Sequence, residues 1–246
     1  MTAHRRSVPA GQAPALASRL ARLVVGAVGI GAGIALLQRA RFGMSPMDVL
    51  HLGIAQRFGF SLGGGIIAAQ AVMLMAFLPL RIRPGVGTVV GFVIPAVVAD
   101  LLLAVLPTVD PVLPRIGLLA AGGACFCAGV ATYLAAELGP MPRDGLMLAF
   151  GKGRPRRIAA VRIGLDIAFL VVGTALLGPD AALHGGGIGP GTLVLALGCG
   201  PAIAWLLRRA RRGPGRARRV PEQAQPGNVI PLPSQRFDVS PHRFDR

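Results

Sequence analysis

Two carboxylates stand in the same local sequence, 96 positions apart. Phe42-Gly43-Met44-Ser45-Pro46-Met47-Asp48-Val49-Leu50 returns as Leu138-Gly139-Pro140-Met141-Pro142-Arg143-Asp144-Gly145-Leu146, and the shared pattern is G-x-x-P-x-D-x-L. In each copy the Gly (Gly43, Gly139) ends an apolar run and lets the backbone turn. The Pro (Pro46, Pro142) suits the first turn of a helix, where its missing N–H costs nothing. The Asp (Asp48, Asp144) then sits near the positive end of the helix dipole, worth about 0.3–1 kcal/mol when exposed. Each copy therefore predicts a short helix, over about 46–58 and 142–150. Two readings stay open. The helices are capped interfacial connectors, or they are re-entrant and their Asp residues line a polar cavity, where the charge serves a cation or a paired Arg such as Arg143.

Other polar residues lie within apolar runs. A carboxylate at membrane depth costs about 2.5–3.5 kcal/mol, so it faces protein or water. Asp166 has Arg162 one turn earlier, which suggests an internal ion pair. Asp100 has no helical partner three or four positions away and is the stronger candidate for a polar pathway. Gln70 aligns with Asp166 at the 96-residue offset. His51 follows Asp48 by three, but its counterpart is Met147, which argues against a symmetric metal site. The Gly-rich stretches at Gly85–Thr88, Gly151–Gly153 and Gly189–Thr192 lack the setting of a phosphate loop. No nucleophile–base pair appears, so neither an enzyme nor a cofactor is expected.

The elements that position these residues are membrane spans. The chain is 53% hydrophobic and 15% charged, with a mean hydropathy of +0.61, against about 25% charge in soluble domains. Six segments can cross about 30 Å of hydrocarbon: Leu20–Leu37, Leu62–Leu80, Val86–Leu106, Ile116–Ala136, Ile158–Leu177 and Ile188–Leu207. The fifth carries Arg162 and Asp166 and is the least clean; without it the count is five. The run after Arg22 is too long for a signal peptide and predicts an uncleaved span. Cys125, Cys127 and Cys199 lie inside apolar runs and read as small buried residues.

The net charge is +16. Its basic residues lie between and after the spans, which argues against nucleic acid and for topology. Arg5, Arg6, Arg19, Arg22, Arg81, Arg83, the Arg143–Arg162 region and the Arg208–Arg219 cluster collect on one side, which predicts two cytoplasmic termini. Gly26 matches Gly122, Gly33 matches Gly129, and Gly87-Thr88 matches Gly191-Thr192. Residues 19–107 and 115–208 thus form two repeats. Three spans each is an odd number, so the second enters the membrane upside down. Residues 1–18 read as a basic cytoplasmic segment. Residues 209–246 read as a disordered basic tail whose Arg cluster meets anionic lipid headgroups.

The chain resembles the YczE/YyaS/YitT group of bacterial integral membrane proteins. The resemblance rests on Gly43-x-x-Pro46-x-Asp48-Val49-Leu50, on Arg83-Pro84-Gly85-Val86-Gly87-Thr88 and on Gly139-Pro140-x-Pro142-Arg143-Asp144-Gly145-Leu146, and covers about 20–207. It implies the bacterial cytoplasmic membrane and no particular substrate. The expectation is an all-α polytopic protein, a small secondary transporter or permease for an unidentified small solute. The alternative is a non-transporting partner or assembly factor for another membrane complex.

Overall fold

The computed structural model describes residues 16–82, 84–151 and 154–211. Residues 1–15, Arg83, Lys152, Gly153 and the tail from 212 onward lie outside the described residues. The chain order is α1 (Leu16–Ala40), α2 (Pro46–Phe58), α3 (Leu62–Met75), α4 (Phe77–Leu80), α5 (Val86–Val105), α6 (Val112–Leu134), α7 (Pro142–Gly151), α8 (Pro155–Leu177), α9 (Pro179–His184) and α10 (Pro190–Arg211). The described residues are helices and connections, with no strand. Six helices are long and apolar enough to cross a membrane: α1, α3 continued by α4, α5, α6, α8 and α10. The protein is thus an all-helical membrane protein. Val72, Val89, Leu101, Ile167, Val171, Val194 and Leu197 point outward, as side chains that meet lipid do.

Three local features differ from the sequence expectation. The second span breaks at Ala76, because Pro79 has no N–H for the Met75 carbonyl and its ring crowds that turn. The stretch after Gly178, expected as a loop, holds α9, with Pro179 in its first turn. The end helices also run further than expected. α1 starts at Leu16, and α10 continues to Arg211, with the Arg209 guanidinium 5.4 Å from the Trp205 ring centroid.

Glycine sets the central contact between α1 and α6. A Cβ on Gly26 would stand 2.4 Å from the Tyr133 backbone N, and one on Gly129 would stand 2.6 Å from the Ile30 N. Small residues let helix backbones approach closely where lipid supplies no hydrophobic drive. Gly129→Val should lower the melting temperature of the purified protein, at a cost of about 1–3 kcal/mol from overpacking. An unchanged melt in detergent would mean that α1 and α6 separate freely.

The two halves exchange contacts in pairs related by the repeat offset. The Gly191 N–H donates to the Phe42 carbonyl at 2.8 Å, and the Gly87 N–H donates to the Leu138 carbonyl at 3.1 Å. Arg115 donates to the carbonyls of Ala40 and Arg41; Arg19 donates to those of Ala136 and Glu137. Arg41 and Glu137 both have φ of 53°, and Gly43 and Gly139 have φ of 111° and 133°, a region that favours glycine. α2 packs on α8 of the other half, while α7 packs on α3. The exchange is unequal. α2 meets α8 far more extensively than α7 meets α3, and α3 packs against α5 while no comparable packing joins α8 to α10 among the described residues.

Candidate functional site

The first motif builds a closed helix start. Ser45 is the N-cap of α2 and Pro46 follows it. The Ser45 hydroxyl accepts from the Asp48 N–H at 3.4 Å and donates to Asp48 Oδ2 at 2.5 Å. His51, one turn on, places Nδ1 3.2 Å from Asp48 Oδ1. Asp48 and His51 are each 2% exposed. The sequence spacing put His51 beside Asp48 but offered no metal geometry; the structure makes the two a buried dyad. At the far end Gly59 closes α2 with φ of 71°.

The second motif is built differently. Met141 stands where Ser45 stands in the first copy and brings no hydroxyl. Thr88 helps order this turn by donating to the Pro140 carbonyl at 2.9 Å. Asp144 lies 3.8 Å from Arg143 Nε, with its side chain 23% exposed. Arg143 also reaches Asp166 of α8, at 3.5 Å, and Arg162 reaches the same carboxylate at 3.9 Å. The Arg162–Asp166 pair suggested by the sequence is therefore present and is joined by Arg143.

Both motifs open on one cavity. It has about 90 Å³ of space for the centres of water molecules, and each water needs about 10–15 Å³ of that measure. Asp48, His51 and Ser45 line it from the first motif and its helix, Asp144 and Arg143 from the second. Gln70 of α3 and Asp166 of α8, paired by the repeat offset, line it too, along with Arg162. The remaining wall is apolar, with Ile30, Ile34, Ile66, Phe126, Val130 and Leu195 among its side chains. Two buried acceptor-capable atoms of the lining, His51 Nε2 and Gln70 Oε1, have no hydrogen-bond partner in the protein; Asp166 Oδ1 has the Arg143 guanidinium at 3.5 Å. Buried polar atoms are nearly always satisfied, by protein or by water, and the cavity has room for a donor beside both.

Asp100 lies away from the cavity. Its carboxylate accepts from the Ser61 hydroxyl at 2.6 Å and from the Gly63 N–H at 2.7 Å. It thereby caps the start of α3, where backbone N–H groups lack helical partners, and ties α5 to it. The partners come from 37 and 39 positions away, so helical spacing along α5 could not reveal them. Asp100→Ala should cost about 1–3 kcal/mol, read as a lower melting temperature, and Asp100→Asn should cost less. Equal stability of all three proteins would remove the cap.

A family of unknown function (DUF6198) matches residues 17–208. The chain belongs to that family. An uncharacterized protein of Haemophilus influenzae is 28% identical over 187 residues, covering 76% of this chain and 81% of the relative. The uncharacterized membrane protein YczE of Bacillus subtilis is 28% identical over 167 residues, covering 67% of this chain and 74% of the relative. The resemblance to YczE-type membrane proteins read from the motifs is borne out. No solved structure matches the chain.

Proposed function

We propose that the protein is a small secondary transporter of the bacterial cytoplasmic membrane, with its solute site in the cavity between the two motif helices. The observation that carries this reading is the cavity itself: it gathers the duplicated Asp48 and Asp144 with Gln70 and Asp166, side chains from both halves. Midplane sites between repeats are a common transporter arrangement. The paired hydrogen bonds across the halves support two inverted three-span units, 19–107 and 115–208. The tight α3–α5 pair and the looser α8–α10 pair support a cavity closed on one side and open on the other. Alternating access then consists of exchanging these two arrangements.

The test is flux. Purified protein in lipid vesicles should move a small solute identified from the sensitivities of a deletion strain, and empty vesicles should not. A non-transporting partner role is the second reading. The sparse burial of α8 and α10, the least buried of the six spans, favours it. A folded protein that co-purifies with a membrane complex and moves no solute would favour that reading over transport.

Topology carries its own prediction. Reporter fusions after Lys152 and Arg212 should read cytoplasmic, and one at His184 external. His184 and Arg212 on one side would refute the inverted arrangement. The Arg208–Arg219 cluster should then face anionic headgroups, at about 1 kcal/mol per residue near the leaflet.

A further inference from the structure

The charges of the cavity do not balance. Asp48, Asp144 and Asp166 supply three carboxylates, and Arg143 and Arg162 supply two guanidiniums. The guanidiniums belong to the second-half carboxylates: Arg143 lies between Asp144 and Asp166, and Arg162 lies beside Asp166. Asp48 is left with the Ser45 hydroxyl and His51. A buried carboxylate that stays ionised needs a counter-charge. Two sources are available. One is a proton on His51, which makes imidazolium at 3.2 Å. The other is a cation in the cavity.

The orphaned atoms identify the cation. With Asp48 ionised and accepting from Nδ1–H, neutral His51 presents the lone pair of Nε2. His51 Nε2 and Gln70 Oε1 then both ask for donors. An ammonium group has three donors and no acceptor. A hard metal ion takes six or more oxygen ligands, and no cluster of three His, Cys, Asp or Glu side chains suits a metal ion among the described residues. The walls of Ile30, Ile34, Ile66 and Phe126 accept an apolar body, with Phe126 offering an aromatic ring.

We infer that the cavity binds a small primary ammonium ion, whose charge balances Asp48 and whose N–H groups meet His51 Nε2 and Gln70 Oε1. The other groups facing the site are Arg143 and Asp144 from α7, Arg162 and Asp166 from α8 and the Cys199 thiol from α10. The cavity residues of α1, α5 and α6 are not ionisable.

The inference rests on the transporter reading for its purpose but is tested by binding alone. Methyl- to butylammonium, propanol and propionate are titrated calorimetrically into the full chain in detergent. At least one alkylammonium should bind about tenfold or more tighter than propanol. In Asp48→Asn, with its melt checked, amine binding should vanish. No binding by any of the amines, or unchanged amine binding in folded Asp48→Asn, would overturn the inference. Amine binding with no flux in vesicles would refute the transporter reading alone. Flux of another solute with no amine binding would refute this inference alone.

Discussion

Asp48→Asn should abolish solute movement while leaving the protein folded and in the membrane. Asn keeps the shape of Asp and remains a good residue at a helix start, so it can still accept from the Ser45 hydroxyl. The loss of the negative charge is what matters. Asp48 is 2% exposed and faces His51 rather than any guanidinium, so nothing else supplies its charge. Asp144→Asn should be milder, because Arg143 still has Asp166 at 3.5 Å. The duplication alone would make the two positions behave alike; Met141 in place of Ser45 and the Arg143 side chain separate them. Vesicle flux and a melting curve on both variants check this. Full flux in Asp48→Asn would leave α2 a capped connector.

Arg143→Gln should be the most damaging single change at the second motif. It leaves Asp144 without its Arg and Asp166 with only Arg162, at 3.9 Å. Breaking a fully buried pair costs roughly 3–5 kcal/mol. Here the Arg143 and Asp166 side chains are each 27% exposed, and water lowers the cost to about 1–2 kcal/mol, a few degrees in melting temperature. Adding Asp144→Asn should restore much of that stability, since the carboxylate left without a guanidinium is gone. If the double variant melts no higher than Arg143→Gln, the charge stranded at Asp144 is not the source of the loss.

Much of this fold was legible because its signals are local. Pro46 and Pro142 mark the starts of α2 and α7, and each lies within one motif. The six spans follow from run length, although Arg162 and Asp166 made α8 the least certain; both turn out to face the cavity, which is why the span tolerates them. What was not legible depends on distant pairs or on competing readings of one residue. Asp100 looked unpartnered because its partners, Ser61 and Gly63, lie on another helix. Ser61 before the apolar run of α3 was the available signal, since Ser is a common N-cap. His51 was weighed as a metal ligand, a role its counterpart Met147 argued against; its bond to Asp48 follows from the i, i+3 spacing on one helix face. Pro79 announced the break at Ala76, and Gly178-Pro179 announced α9, but apolar run length outweighed the first and a loop reading the second.

The most direct measurement asks whether water reaches the cavity. In a background lacking Cys125, Cys127 and Cys199, single cysteines are placed at Met141 and Ala196, which line it, and at Val97, on an exposed apolar face of α5. A water-soluble thiol reagent should modify the first two in membranes and spare the third, which faces lipid. Cysteines at 141 and 196 as inert as the one at 97 would contradict a polar solute cavity between the two motif helices.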